Sequence, residues 1–331
     1  MNPSHVQAEA PVDRRPCLLA LAGLGLGSQA RARAWPERPV RVLQGFAPGG
    51  NADTIARLVG TEMARDWGHP MIVESLSGAA GTLAAAAVAR ARPDGHTLLL
   101  ALAGHAVAGA LYRQLPYDTV NSFQMVSTIT YFPFVVLVLG ESKLKSLADL
   151  LSAARAERQA MAYGSVGVGS TQHLAGELLM RMAGVPLLHV PYRGDAASLS
   201  ALLAGEVPFM IAPATSSLPH LKSGRLRALA VTGLHRSTAM PEVPTIDEQG
   251  IRGFDVRSWA AWMLPAGAPR EVVEALRRDT LRALQVAAVR ARLEEMGGDP
   301  QPSTPQALAA LVAADLQKWS LVIADARIER L

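Results

Sequence analysis

The sequence predicts an α/β fold laid down in two series, and three observations carry that prediction. Short β-branched or apolar runs alternate with helical patterns, the signature of a mainly parallel sheet flanked by helices. The alternation runs once to about residue 102 and starts afresh after a long apolar run, Phe132–Leu139. Beyond Leu264 the chain is helical to its end. Together these predict a discontinuous first lobe, residues 35–134 with 259–331, and a second lobe of residues 135–258 set into it. Two chain crossings between lobes make a hinge, and the crevice between lobes is a usual place for a small ligand.

The first 34 residues read as an export signal. Arg14 and Arg15 form a basic start, Pro16 to Gly27 is uncharged and apolar, and Ala32-Arg33-Ala34 supplies small residues at the −3 and −1 positions. That order is a cleaved signal peptide, with cleavage expected after Ala34, and the apolar stretch is too short to span a bilayer. Pro16-Cys17 after the paired arginines is a poor match to a twin-arginine signal, which favours ordinary secretion. In the mature chain Val40 to Phe46 reads as a strand, and Ala52 to Trp67 as a helix with Ile55, Leu58, Val59 and Met63 on one face. Met71 to Glu74 is a second strand, followed by an alanine-rich helix to Ala91 and a third strand, Thr97 to Leu102. In the second series a helix opens at Ser146-x-x-Asp149, a capping-box spacing. Strands are expected at Met161–Gly164, Leu188–Val190, Phe209–Ala212 and Leu226–Val231, with helices between them. Ser258 to Leu264 is a further strand-like crossing. Pro269 opens one helix, and Thr304-Pro305 supplies the N-cap and first position of the last.

Composition excludes several classes. Of 331 residues, 50% are hydrophobic and 18% charged, which rules out a disordered chain. The net charge of +4 is too balanced to suggest a nucleic-acid partner. One cysteine leaves no disulfide framework and no Cys-based zinc site. No apolar run in the mature chain approaches about 18 residues, so insertion in a membrane is not expected.

Four strand-to-helix turns share one design, in which a strand ends, glycine or small residues follow, and a helix starts. They are Phe46-Ala47-Pro48-Gly49-Gly50-Asn51-Ala52-Asp53, Ser77-Gly78-Ala79-Ala80-Gly81-Thr82, Ser165-Val166-Gly167-Val168-Gly169-Ser170-Thr171 and Pro191-Tyr192-Arg193-Gly194-Asp195. Helix N-termini carry unpaired N–H groups and the positive end of the macrodipole. Glycine lets a ligand approach that backbone. Two such turns from each lobe make a neutral pincer for a small anion, most simply a carboxylate. Any one of them is equally explained as a tight turn. Asp53 reads as a cap or a brace for its own loop, because a carboxylate repels an anion. Arg193 either pairs with a ligand carboxylate or lies on the surface, and the sequence leaves both open. His173 reads as structural, and Tyr192 as a hydroxyl donor or a wall.

Catalytic patterns are missing. Gly164-Ser165-Val166-Gly167 is not a G-x-S-x-G elbow, and the mature chain has no P-loop and no G-x-G-x-x-G. The eight histidines include no H-x-H or H-E-x-x-H, so neither a metal nor a cofactor is expected.

The turns, in this order behind this leader, resemble the solute-binding receptors of tripartite tricarboxylate transporters, the Bug receptors. The resemblance spans Trp35 to Leu331. It rests on Trp35-Pro36-x-Arg38-Pro39-Val40-Arg41, Phe46-Ala47-Pro48-Gly49-Gly50-x-x-Asp53, Gly78-Ala79-x-Gly81-Thr82, Arg92-Pro93-Asp94-Gly95-His96-Thr97-Leu98, Gly164-Ser165-x-Gly167-x-Gly169-Ser170-x-x-His173-Leu174-Ala175, His189-Val190-Pro191-Tyr192-Arg193-Gly194 and Leu264-Pro265-Ala266-Gly267-x-Pro269. It implies a two-lobed periplasmic binding protein fold of the second type, each lobe a mixed sheet flanked by helices, with two hinge crossings. It implies a monomeric, non-enzymatic receptor that takes a small carboxylate between its lobes and serves a two-subunit membrane permease. A receptor that reports to a membrane signalling protein is the alternative, and a secreted hydrolase a third reading. By the resemblance, ligand contacts in the first lobe fall on Phe46, Pro48, Gly49, Gly50, Gly78 and Ala79, with Asp53 bracing. Those in the second fall on Ser165, Gly167, Ser170, Thr171, His173, Tyr192, Arg193 and Gly194, and on Ala212.

Three departures bear on the ligand. The second turn often reads Asn-x-Pro-Gly-Ala-Gly-Gly, but Ser75, Ser77 and Ala80 replace the Asn, the Pro and the first Gly of the closing pair. The usually serine-rich stretch before His105 is Ala101-Leu102-Ala103-Gly104. An aspartate usual near the end of the Phe209 strand is replaced by Ala212-Pro213. The last two make the pocket less polar on one side, so the expected ligand has an apolar or aromatic body.

Overall fold

The computed structural model describes residues 35–156 and 158–331, so the expected export signal, its expected cleavage point and Cys17 lie outside the described residues. The first series comprises β1 (Val40–Gln44), α1 (Asn51–Met63), β2 (Met71–Ser75), α2 (Thr82–Ala89), β3 (Thr97–Leu102) and α3 (Gly104–Leu111). A long strand, β4 (Phe123–Leu139), leads into α4 (Leu147–Ala156), β5 (Met161–Ser165), α5 (Thr171–Ala183), β6 (Leu187–Pro191), α6 (Asp195–Leu203), β7 (Phe209–Pro213), α7 (Ala214–Lys222) and β8 (Leu226–Val231). The chain returns through β9 (Arg257–Pro265) to α8 (Arg270–Gln285), α9 (Ala287–Glu295), β10 (Asp299–Pro300) and α10 (Pro305–Asp325).

The local signals act as their chemistry requires. Ser146 Oγ accepts from Asp149 N at 3.1 Å while Asp149 Oδ2 accepts from Ser146 N at 3.0 Å, a reciprocal capping box at the start of α4. Thr304 Oγ1 accepts from Ala307 N at 3.1 Å, and Pro305 takes the first turn of α10, where a missing N–H costs nothing. β3 alternates its faces: Leu98 and Leu100 pack with Ile55, Val59, Trp262 and Leu276, whereas Leu99 and Ala101 pack with Val88, Met263, Leu308 and Val312. Three elements depart from expectation, one of them β10, a two-residue strand in a stretch expected to be helical. The apolar run Phe132–Leu139 is only the second half of the 17-residue β4. Helix α3 had no sequence signal at all.

The sheet order is β2-β1-β3-β9-β4-β7-β5-β6, with β8 and β10 also pairing with β4. β2, β1 and β3 are mutually parallel, as are β6, β5 and β7, but β9 runs antiparallel to β3 and β4, and β4 antiparallel to β7 and β8. Each half is therefore mixed. β4 registers with β9 as far as Pro133↔Arg257, and with β7 from Phe134↔Pro213 onward. Pro133 has no N–H for a ladder and stands where the strand exchanges partners. β1 and β3 run with β4, whereas β5, β6 and β7 run against it. The carboxyl ends of the two sets of parallel strands thus point at one another across the level of Pro133 and Phe134.

Helix α10 joins the two halves. Leu308 and Val312 lie in the core under β3, and Trp319, Val322 and Ile323 lie in the core of β5, β7 and α5, together with Val107 and Leu111 of α3. By length and mean hydropathy Pro305–Asp325 matches a membrane span, which the reading of the sequence did not anticipate. It is a core helix nonetheless. Asp315 accepts from Trp259 Nε1 at 2.9 Å and pairs with Lys318 at 2.7 Å.

Candidate functional site

The first turn is held from behind. Gln44, fully buried, donates from Nε2 to Phe46 O at 2.9 Å and accepts from Phe46 N at 2.7 Å through Oε1. Ser77 Oγ of the second turn donates to the same carbonyl at 2.6 Å. Asp53 braces the loop, accepting from Gly49 N at 3.1 Å and from Arg57 Nε at 2.9 Å. The Arg57 guanidinium holds the Asp53 carboxyl below its usual range, with the Gly49 amide adding to the effect against the cost of burial. Pro48, Gly49 and Gly50 are exposed. Gly50 is the N-cap of α1 and brings no side-chain cap, which leaves first-turn N–H groups of the helix without a partner from that residue.

The second turn carries four consecutive positive φ angles: Gly78 at 137°, Ala79 at 45°, Ala80 at 56° and Gly81 at 89°. The first and second turns touch through backbone, since a Cβ on Gly45 would collide with Gly81 Cα. Gly81 caps α2, again with no side chain to fill the amides. Behind both turns lies a cavity of about 10 Å³, room for about one water, between Phe46, Gly81, Thr82, Leu100, His105 and Tyr117. Burial raises Tyr117 to about 12, and its hydroxyl is buried without a partner. His105 Nε2 lies 2.9 Å from Thr119 O, and burial keeps the ring below its ordinary pKa.

The third turn is built differently. Ser170 caps α5, accepting from His173 N at 3.2 Å and donating to Gly167 O at 2.7 Å. Ser165 is fully buried; its Oγ accepts from Gly167 N at 3.1 Å and lies 2.5 Å from His189 Nε2. His173 Nδ1 accepts from Gly169 N at 3.0 Å, and its ring stacks on His189 at 3.7 Å between centroids. Glu177 lies 3.6 Å from His173 Nε2 and accepts from Tyr163 OH at 3.0 Å. Burial, then the neighbouring His173, pushes His189 down to about 4. Against its own desolvation, bonds from His173 and Tyr163 hold Glu177 below the usual carboxylate range. This network makes the loop rigid from beneath.

In the fourth turn Tyr192 N donates to Ser165 O at 2.9 Å, which ties it to the third, and Tyr192 OH donates to Glu206 at 3.4 Å. Gly194 caps α6 without a side chain, and Arg193 is exposed with no bonded partner among the described residues. Besides the core contacts of α3 and α10, the halves meet where Asn51 Nδ2 donates to Thr215 Oγ1 at 3.3 Å, where Gly169 packs on Leu111 and where Gly297 packs on Ala214 and Leu218.

The structure therefore brings Phe46, Pro48, Gly49, Gly50, Gly78, Ala79, Gly167, Ser170, Thr171, Tyr192, Arg193 and Gly194 to the two facing sets of strand ends. Three of the expected contact residues are buried side chains. Ser165 and His173 turn their polar atoms inward to brace the loop, at 0% and 5% exposure, as the structural reading of His173 expected. Ala212, 1% exposed, lies in the core with Leu202 and Met210 because its place on β7 points it away from the turns. The sequence reading missed Gln44, His189 and Thr215. His189 pairs in register with Tyr163, two positions before Ser165↔Pro191, and that register is the signal that would have found it. Among the described residues no three His, Cys, Asp or Glu side chains group as a metal site.

The chain matches the family described as "Tripartite tricarboxylate transporter family receptor" over residues 55–328. It is 35% identical, over 99% of both chains, to a protein encoded in the tcbD-tcbE intergenic region of Pseudomonas sp. (strain P51). Its fold is similar to that of a Rhodopseudomonas palustris protein solved with adipate, with TM-score 0.76 and 34% identity over 90% of this chain and 100% of that one. It is also similar to MatC of the same organism solved with bound malate, with TM-score 0.72 and 34% identity over 87% and 100%. Sequence and fold agree: the chain belongs to the tripartite tricarboxylate transporter receptor family and has the mixed α/β fold of periplasmic solute-binding proteins.

Proposed function

We propose that this protein is an exported, monomeric, non-enzymatic receptor that captures one small carboxylate in the periplasm and delivers it to a two-subunit membrane permease. The observation that carries this reading is the convergence of helix starts whose caps, Gly50, Gly81 and Gly194, supply no side chain. Main-chain amides at the positive ends of α1, α2 and α6 suit an anion without burying a fixed cation. Relatives solved with malate and with adipate support a carboxylate as the ligand class. Two lobes, residues 35–134 with 259–331 and residues 135–258, close on the ligand by bending near Pro133 and Arg257. The ligand favours the closed form because it touches both sets of turns only there. Leu102, Ala103 and Gly104 at the end of β3 bring no hydroxyl, which favours a ligand with an apolar or aromatic body.

A thermal-shift screen of mono-, di- and tricarboxylates, with native mass spectrometry of ligand retained on gently purified protein, tests this. Stabilisation by monocarboxylates with apolar bodies is expected. Stabilisation by citrate or malate and by no monocarboxylate would count against the apolar body, and a response to none of the acids would remove the receptor reading.

A further inference from the structure

The four turns together hold one acidic side chain that braces nothing in its own loop. Asp195 opens α6 directly after the Tyr192-Arg193-Gly194 turn, which follows β6, the strand paired with β5. Its Oδ1 accepts from Gln172 Nε2 at 3.4 Å, and Gln172, in the first turn of α5, is itself buried, at 7% exposure. Gln172 and Asp195 thereby join the third turn to the fourth. Among the described residues no cation lies within ion-pair distance of Asp195, and Arg193, two residues before it, is bonded to nothing. A carboxylate at a helix start is ordinarily favoured in its charged form. Asp195 goes the other way: although the residue is exposed, desolvation by its neighbours raises its pKa, only partly offset by the Gln172 bond. An exposed, acceptor-only carboxylate with no counter-ion of its own therefore stands beside amides that suit an anion, and the two ask for opposite things of a ligand.

We propose that Asp195, steadied by Gln172, is a specificity-determining residue that accepts a hydrogen bond from the end of the ligand remote from its carboxylate and rejects a second carboxylate there. The inference rests on the receptor reading above and narrows the ligand to a monocarboxylate whose far end carries a hydroxyl or a carboxamide N–H. A donor at that end satisfies Asp195 when the lobes exclude water. A second carboxylate there would face a like charge once the closing lobes exclude water.

Two matched series test it by calorimetry at pH 7 on the mature chain: hexanoate, 6-hydroxyhexanoate and adipate, and benzoate, 4-hydroxybenzoate, 4-carbamoylbenzoate and terephthalate. In at least one series the acid with a donor end is expected to bind at least about tenfold more tightly than both its unsubstituted parent and its dicarboxylate. Asp195→Asn, which keeps the size and adds a donor, is expected to improve dicarboxylate binding about tenfold or more and so erase that preference. Asp195→Ser, read the same way, covers a fault peculiar to the amide. Equal or tighter binding of the dicarboxylate by the unaltered protein overturns the inference and leaves the receptor reading standing. So does a preference unchanged in both variants, which would reduce Asp195 to a helix-terminal charge. Failure of every acid in both series to bind removes the receptor reading and this inference with it.

Discussion

Ala79 and Ala80 occupy the left-handed region, at φ 45° and 56°, where a Cβ crowds the following carbonyl. Ala80→Gly relieves that strain at the cost of some chain entropy, and is expected to raise stability by about 1 kcal/mol in denaturant unfolding. Ala80→Val should lose stability. His189 sets a pH dependence. Its pKa falls from 6.5 to about 4 on folding, chiefly through burial, so the unfolded chain takes up a proton that the folded one refuses. The stability from this group is complete above about 6.5 and lost as pH falls toward about 4. His189→Gln should flatten that part of the curve, and an unaltered acid limb in the variant would place the titration elsewhere. At this scale the sequence exposed the glycines and hydroxyls of the turns because their backbone roles are local. It hid the stack of His173 on His189, since 16 positions of chain separate two rings that only the packing of α5 against the paired β5 and β6 brings together.

The caps of α4 and α10 were legible because a capping residue and its target lie three positions apart. β4 was half hidden. Its first half carries Ser127, Thr128 and Thr130, which break the apolar run yet are fully buried, because the chain after β10 supplies partners: Thr128 N donates to Ser303 Oγ at 3.0 Å and Ser303 N donates to Ser127 Oγ at 3.0 Å. α3 was invisible for a related reason. Gly104-His105-Ala106-Val107-Ala108-Gly109-Ala110-Leu111 is apolar nearly all round and has no periodicity to read, since the helix is buried on several sides. The crossing between halves is pinned by Thr232, fully buried, whose Oγ1 accepts from Phe134 N at 3.0 Å and donates to Val256 O at 2.5 Å. Thr232→Val keeps the shape and leaves both groups unpaired, so a loss of about 2 kcal/mol is expected in denaturant unfolding. A change within a few tenths would show that the crossing does not depend on this hydroxyl.

For the whole molecule, closure about Pro133 and Arg257 predicts a smaller radius of gyration by small-angle scattering once a bound acid is saturating. An unchanged scattering curve with bound ligand would mean that capture needs no movement of the lobes. α10 limits how the halves can move, because its first turns pack under β3 and its last turns under β5 and β7. Within the first lobe the chain end ties α10 to α3: Leu331 N donates to Leu111 O at 3.0 Å and Arg113 N to Leu331 O at 2.7 Å. Bending therefore has to pivot on this helix instead of tearing it from either core.

The sequence by itself determined the alternation of strands and helices outside α3, the starts of the capped helices α4 and α10, and the residues of the four turns, because each depends on neighbours a few positions apart. Which turns face one another, which of their side chains look inward and how far β4 extends were decided only in three dimensions. Those features depend on strand direction and on partners more than a hundred residues away, and no local pattern records either.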